Sequence, residues 1–145
     1  MQPEMTNVIH QTVPILEKMG IEVVESTRGR AEIVLPFEPN RNHVGTTYAG
    51  SLFSAAEVLG GLLALSSWQM EGYAPIVRSM SIDFLRPALG DVRASAQMSM
   101  ADIERIAAEA IVEGKANYDL VATVVDAQGV VVAQTTGHYQ LRKFS

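Results

Sequence analysis

The chain has 145 residues, a length that predicts a single domain, residues 1–145, with its own hydrophobic core. Its 48% hydrophobic and 19% charged residues exclude a disordered chain. A net charge of −5, with no cluster of Lys or Arg, argues against nucleic acid or an anionic membrane as the main partner. The absence of cysteine excludes disulfides, thiol catalysis and cysteine-based metal sites.

The first 37 residues predict a helix followed by a hairpin. No basic region or long apolar run opens the chain, so no signal peptide is predicted and a cytoplasmic location is expected. Apolar residues at helical spacing predict a short amphipathic helix over residues 6–19, interrupted or tightened near Pro14, with Thr6 as its N-cap and Gly20 as its stop. Residues 21–26 and 31–37 then alternate like the two strands of a hairpin.

The most apolar stretch of the chain runs from Gly50 to Trp68 and predicts a buried helix. Glu57 is the only formally charged residue between Arg41 and Glu71, so its carboxylate stands alone in this helix. An ionised carboxylate in apolar surroundings is costly unless it is paired, hydrated or used. Gly60 and Gly61, three and four positions away, are expected on the same face of the helix and leave space beside it. A functional carboxylate is the preferred interpretation, and a structural partner in a tightly packed helix is the alternative.

The same stretch is the one candidate for a membrane span. Residues 52–70 number about 19, just enough to cross a bilayer. The central Glu57, the serines and glycines, and the lack of flanking Lys or Arg argue against a span. Burial inside the protein is the better interpretation.

Alternation with a period of two dominates the rest of the chain and predicts antiparallel strands. The predicted strands cover residues 79–84, 92–100, 116–126 and 130–141. Residues 102–113 switch to a helical period, with Asp102 as the expected cap. A sheet with one apolar face must cover it, and the Gly50 to Trp68 helix is the obvious cover. The pattern predicts an α+β fold with a curved antiparallel sheet wrapped around a long central helix.

Residues 42–57, NHVGTTYAGSLFSAAE, resemble the hotdog-fold acyl-CoA thioesterases of the PaaI type. In that family an Asn-containing loop leads into a His-Gly-Gly motif, which opens the central helix and is followed by an acidic residue. Here Asn42 stands at the loop Asn, the Tyr-Ala-Gly of residues 48–50 stands at His-Gly-Gly, and Glu57 stands at the acidic position. Residues 82–91, IDFLRPALGD, are similar to the family's strand–loop–strand segment.

The chain departs from the family pattern at defined places. Tyr48 and Ala49 replace the His and the first Gly of the motif, and Glu57 stands where Asp is commoner. The predicted helix over residues 102–113 interrupts what is usually a simple hairpin. These departures place the chain nearer to the DUF4442, or YiiD C-terminal, type of hotdog protein.

The resemblance implies an acyl-CoA thioesterase that releases a carboxylic acid and a thiol, with Glu57 as general base or nucleophile. Backbone N–H groups of Ala49 or Gly50, at the start of the central helix, would bind the developing oxyanion. Asn42 would orient the water or the thioester carbonyl from the facing subunit, and a turn role explains this residue equally well. No metal or cofactor is implied, because the coenzyme A thioester is itself the substrate.

Further residues are assigned as substrate contacts from their positions. They are expected to bond the thioester, line the acyl site or meet the phosphates of coenzyme A, and ordinary packing or surface charge is the alternative for each. These residues are Tyr48, His43, Ser79, Ser81, Arg78, Arg86 and Phe53. The resemblance also implies a homo-oligomer, a homodimer or a homotetramer built as a dimer of dimers, with the site at a subunit interface.

Two other functions are open at this point. Hotdog dehydratases and hydratases pair a loop His with a helix Glu, and His43 and Glu57 have a spacing that those enzymes also show, although their proline-rich loop is missing here. The Tyr and Ala at positions 48 and 49 also fit a non-catalytic binder of acyl thioesters or fatty acids. Hydrolysis of a panel of acyl-CoAs separates thioesterases from the other two classes.

Overall fold

The computed structural model describes residues 1–145. The helices are α1 (Pro3–Thr12), α2 (Ile15–Met19), α3 (Ala49–Ser67) and α4 (Met100–Glu113), with a 3-10 turn at Glu38–Asn40. The strands are β1 (Glu22–Thr27), β2 (Arg30–Leu35), β3 (Tyr73–Phe84), β4 (Val92–Gln97), β5 (Lys115–Val125) and β6 (Val131–Lys143). All six strands form one antiparallel sheet in the order β1-β2-β4-β5-β6-β3.

The sheet curves around α3, which contacts all six strands. Its inward side chains, Leu59 and Leu63 among them, are fully buried against the alternating apolar residues of the strands. The helix has no strong amphipathic pattern, because apolar residues such as Phe53 and Leu65 also occupy the side that the sheet leaves uncovered. The α+β architecture predicted from the sequence is confirmed.

The two edges of the sheet differ. At β1, the N–H of Val23 donates to the Thr6 hydroxyl at 2.9 Å, and the Val23 carbonyl accepts from the N–H of Gln2 at 2.9 Å, so α1 closes this edge. Strand β3 is hydrogen-bonded to β6 on one side and leaves its other side unpaired. An unpaired strand edge is a template for pairing with another chain.

The N-terminal helical region follows its prediction at Pro14 and Gly20 but not at Thr6. The helix is interrupted at Pro14 as predicted, because Pro14 lacks an N–H: α1 ends at Thr12 and α2 begins at Ile15. Thr6 is not an N-cap: α1 begins at Pro3, and the Thr6 hydroxyl bonds strand β1 instead. Gly20 ends α2 with φ of 75°, as predicted.

Helix α4 closes the core beyond the C-terminal end of α3. The Trp68 indole N–H donates to the carbonyl of Ile103 at 2.9 Å and ties the two helices together. The cap predicted at Asp102 is wrong, because the Ser99 hydroxyl accepts from the Asp102 N–H at 3.1 Å and α4 begins at Met100.

Helix α3 is also long and apolar enough to cross a membrane by length and composition alone. In the most apolar 18-residue segment of this helix, 56% of the segment is buried inside the protein. The core helix of a sheet-wrapped protein meets the same test, so this property carries no evidence for a membrane span.

Candidate active site

The start of α3 presents unused backbone donors. The Tyr48 N–H donates to the Asn40 carbonyl at 2.7 Å, and the Ser51 and Leu52 N–H groups donate to the Tyr48 carbonyl. No side chain caps this end, and the N–H groups of Ala49 and Gly50 have no hydrogen-bond partner. The first turn of a 19-residue helix therefore offers two free donors at its positive end.

Asn42 organises the loop that precedes the helix. Its Oδ1 accepts from the N–H groups of Val44 and Thr46, both at 3.0 Å, and its Nδ2 donates to the Thr46 hydroxyl at 2.8 Å. The loop also turns at Gly45, whose φ is 82°. The amide of Asn42 is thus engaged by its own loop, which is the turn role given as the alternative for this residue.

A cavity of about 480 Å³ lies between this loop and the loop that joins β3 to β4. Ala49 borders it, so the cavity lies beside the start of α3. The wall is mostly apolar, with Asn42 and Arg86 as its longest polar side chains. The lining residues are Asn42, Val44, Thr46, Thr47, Ala49, Leu52, Phe84, Leu85, Arg86, Pro87 and Ala88.

Glu57 lies on the outward side of α3 and is half-buried. Its carboxylate makes no hydrogen bond or ion pair within the subunit, and burial raises its pKa above the ordinary value of 4.5. The same stripe of the helix carries Phe53, Gly61 and Leu65, and a Cβ at Gly61 would meet no atom within 4 Å. Glu57 is therefore an unpaired acid on an uncovered apolar face.

Gly60 faces the sheet, about 100° around the helix from Gly61. The ring of Tyr139 fills the space where a Gly60 side chain would be, and its hydroxyl donates to the Glu57 carbonyl at 3.2 Å. The expectation that both glycines lie on the face of Glu57 is wrong for Gly60, which packs against the sheet. Tyr139 also stacks on Tyr118, with ring centroids 5.4 Å apart.

Sequence reasoning missed Tyr139 as a support of the candidate site. Burial and the nearby charge of Glu57 both raise the pKa of the Tyr139 phenol. The available signal was the glycine at position 60 inside a helix, which indicates close approach by another element. Nothing in the sequence identified that element as β6.

Four of the remaining predicted contacts lie near the start of α3 or on its outward side. Arg86 lines the cavity and Phe53 lies on the outward stripe of α3. Tyr48 is 59% exposed, with its ring over the backbone of Gly50. His43 is exposed in the loop and forms no ion pair or hydrogen bond with Glu57.

Three predicted contacts lie away from the helix. Met80 and Ile82 of β3 pack on the core, so Ser79 and Ser81 project from the other face of the sheet. Arg78 lines a cleft with Ser79 on that outer face. The structure therefore does not bring these three residues together with Glu57 or Ala49 within one subunit. No group of three or more His, Asp or Glu side chains could hold a metal ion.

Solved structures share this architecture over nearly the whole chain. A Pseudomonas aeruginosa protein of unknown function, described as a probable thioesterase, is 35% identical, with a TM-score of 0.91 and coverage of 99% of this chain and 97% of that one. A Haemophilus influenzae thioesterase is 14% identical, with a TM-score of 0.74 and coverage of 96% and 91%. The Escherichia coli PaaI protein of the phenylacetic acid degradation operon is 21% identical, with a TM-score of 0.67 and coverage of 94% and 88%.

The sheet wrapped around α3 and its likeness to these structures define a hotdog-fold protein. The resemblance inferred from residues 42–57 is confirmed. A family model described as a domain of unknown function, DUF4442, matches residues 4–141. The chain belongs to the DUF4442 family.

Proposed function

We propose that this protein is an acyl-CoA thioesterase whose site is completed by two copies of the chain. The observation that carries the proposal is the pair of free N–H groups, Ala49 and Gly50, at the start of α3 beside an apolar cavity. Hydrolysis of a thioester passes through an oxyanion, and fixed backbone donors at a helix start stabilise that charge. The thioesterase descriptions of the structural relatives are consistent with this chemistry.

Glu57 is the proposed general base or nucleophile. It is the one charged group of α3, it has no partner, and burial raises its pKa toward the range useful for proton transfer. In the ionised form it can take a proton from water, or attack the thioester carbon directly while the thiolate leaves. The outward stripe, with Phe53 and Leu65, supplies an apolar surface for the acyl chain.

Within one subunit, Glu57 and the free donors are too far apart to act on one thioester. Positions 49 and 57 are eight residues apart, which at about 1.5 Å per residue is about 12 Å along the helix. A general base works within about 3 Å of the atom that it deprotonates. We therefore infer that the Glu57 of one copy serves the Ala49 and Gly50 donors of the other.

The open edge of β3 supplies a route to such a dimer. Pairing of two β3 strands across a two-fold axis would continue the sheet from one copy to the next, and the axis would make the two α3 helices antiparallel. The start of one helix would then lie beside later turns of the other. Exposed apolar residues, Ile76 and Val77, accompany this edge.

Arg86 is the proposed contact for a coenzyme A phosphate. It lines the cavity beside the helix start and has no ion-pair partner in the subunit. Asn42 is proposed to hold the loop in shape, since its amide already makes three hydrogen bonds there. The site then uses backbone groups for the oxyanion and Glu57 for proton transfer.

The direct test is hydrolysis of a panel of short-, medium- and long-chain acyl-CoAs by the wild type and by Glu57→Gln. Glu104→Gln, at an exposed position of α4, is the matched control for loss of one carboxylate. Turnover by the wild type and the control, with loss in Glu57→Gln, supports the proposal. Binding without turnover by every variant would favour the non-catalytic binder, and hydration of enoyl-CoA would favour the dehydratase class.

A further inference from the structure

The outer face of the sheet carries a polar cleft. It has a volume of about 450 Å³ and is lined by Arg78, Ser79, Asn117, Asp119, His138 and Tyr139. Asn117 and Asp119 are exposed on β5 while the alternate residues, Tyr118 among them, are buried against α3. The cleft therefore opens on the side of the sheet that α3 does not cover.

The sheet register assembles this cleft from three strands. Asp119, His138 and Ser79 are directly paired neighbours on β5, β6 and β3. A bulge between Val77 and Ser79 inserts Arg78 into β3, so that Arg78 and Ser79 line the same cleft. Bulges commonly re-aim a side chain in this way.

The acceptors of the cleft are largely engaged by protein groups. Asn117 Oδ1 accepts from Gln140 Nε2 at 2.9 Å, and Gln140 Oε1 accepts from Arg142 Nη1 at 3.2 Å. His138 Nδ1 lies 2.7 Å from Asp119 Oδ1. These bonds fix the amide of Asn117 with its N–H₂ turned away from Gln140, and they pair the one carboxylate in the cleft with an imidazole.

The donors of the cleft are free. Arg78 forms no ion pair, the Ser79 hydroxyl forms no hydrogen bond, and the Asn117 N–H₂ has no partner. A guanidinium, a hydroxyl and an amide N–H₂ around one concave space are the groups that hold an oxyanion. Because Asn117 Oδ1 and Asp119 Oδ1 are already used, the free donors match the cleft to a ligand that accepts hydrogen bonds.

Charge on this face favours an anion as well. Lys115 and Arg142 are directly paired on β5 and β6. Lys115 is the next exposed residue along β5 from Asn117, so both lie on the outer face. Together with Arg78 they place three cations on this part of a chain whose net charge is −5. Asp119 is the only carboxylate that lines the cleft.

We propose that this cleft binds the phosphate group of a phosphate monoester, as a second site independent of the thioester chemistry. Arg78 binds two phosphate oxygens through its planar guanidinium, and Ser79 and Asn117 donate to the others. The volume is in the range of about 300–1,000 Å³ typical of small-molecule sites, so it accommodates an organic group beyond the phosphate. Because the site lies on the opposite face of the sheet from α3, its ligand does not compete with an acyl chain there.

The test is calorimetric titration of the full chain at low salt with adenosine 5′-monophosphate, inorganic phosphate and adenosine. The monophosphate is expected to bind, inorganic phosphate to bind more weakly because it fills less of the cleft, and adenosine not to bind. Arg78→Ala is expected to weaken monophosphate binding about tenfold or more, as for loss of a charge-assisted bidentate contact. Arg28→Ala, an exposed arginine outside the cleft, is the matched control and should leave binding unchanged.

Two further variants separate a phosphate site from a general loss of charge. Asn117→Asp keeps the side-chain shape but replaces the free donor with an oxygen, so it should weaken binding. Asp119→Asn keeps an acceptor for His138 and removes the negative charge, so it should strengthen binding. Equal affinity for adenosine and its monophosphate, no effect of Arg78→Ala, or weaker binding by Asp119→Asn would each overturn the proposal.

Discussion

The ring of Tyr139 occupies the space that a side chain at position 60 would need, because a Cβ on Gly60 would lie 2.1 Å from Tyr139 Cε2. This contact lets α3 approach β6 closely enough for the Tyr139 hydroxyl to bond the Glu57 carbonyl. A Cβ on the next residue, Gly61, would meet no atom within 4 Å. Two adjacent glycines in one helix thus have opposite structural roles.

The first prediction uses this pair of glycines. Gly60→Ala should destabilise the protein by about 1–3 kcal/mol, because the new methyl group forces Tyr139 or the helix to move. Gly61→Ala, the matched control, should stabilise it by about 0.5–1 kcal/mol, since alanine is the better helix former and nothing obstructs it. Urea unfolding measures both changes. Equal effects of the two substitutions would contradict the assigned orientation of α3.

Most helices and strands of this fold could be predicted from the sequence, because the patterns that indicate them lie within short segments of the chain. The apolar stretch of α3 and the alternation of β5 and β6 predict their elements to within two residues at each end. The first half of β3 was missed because Pro75 and the run after it do not alternate; Pro75 is tolerated because β3 is an edge strand.

The candidate site was accessible only in part. The isolation of Glu57 is visible in the sequence, since it is a matter of charge in an apolar run. The hydrogen bonds of Asn42 and the packing of Tyr139 on Gly60 depend on distances between groups, which spacing alone does not give. Ser79 and Ser81 were assigned by strand position, and the face of the sheet from which they project follows from how β3 packs.

The second prediction concerns Glu57, the proposed catalytic carboxylate. Glu57→Gln should reduce kcat by about 10²-fold or more, the usual contribution of an acid–base group. Burial raises the pKa of Glu57, and the ionised form is expected to be the active one. The wild-type rate should therefore rise with pH as Glu57 loses its proton, over a range that lies above pH 4.5. Steady-state kinetics across pH measure both effects. A flat profile, or equal rates in the two proteins, would exclude Glu57 from the chemistry.

The third prediction is the effect of the same group on stability. The folded-state pKa of Glu57 is raised above 4.5, so the folded state holds its proton in a pH range where the unfolded state has lost it. The stabilising contribution of the protonated Glu57 carboxyl group is fully present below pH 4.5. It is lost as pH rises through the folded-state pKa of Glu57. Glu57→Gln should therefore be more stable than the wild type at pH 7, with the difference shrinking below pH 4.5. Denaturant unfolding at several pH values tests this, and a Gln variant less stable at neutral pH would indicate a hidden partner for the carboxylate.

The fourth prediction tests the open edge of β3. Val77 is 42% exposed on that strand, and Val77→Lys would place a charge at the proposed strand pairing. The variant should shift the protein from dimer to monomer in light scattering at micromolar concentration and lose acyl-CoA turnover with it. Val121→Lys makes the same change at an exposed position of the central strand β5 and should keep the dimer. A wild-type protein that is an active monomer would refute the shared site.

The fifth prediction isolates a single backbone donor. Ala49 is the first residue of α3, where proline is tolerated, and Tyr48 before it has φ of −59° and ψ of 134°, the extended conformation that a following proline requires. Ala49→Pro therefore removes one free N–H while the helix keeps its start.

Loss of an oxyanion donor should reduce kcat by about 10²–10³-fold, with stability little changed. Met100→Pro is the matched control, because Met100 is the first residue of α4 and Ser99 before it has φ of −68° and ψ of 153°. Full activity in Ala49→Pro would remove the Ala49 N–H from the mechanism. Loss of activity in Ala49→Pro alone, with both variants equally folded by circular dichroism, would assign that N–H to the oxyanion.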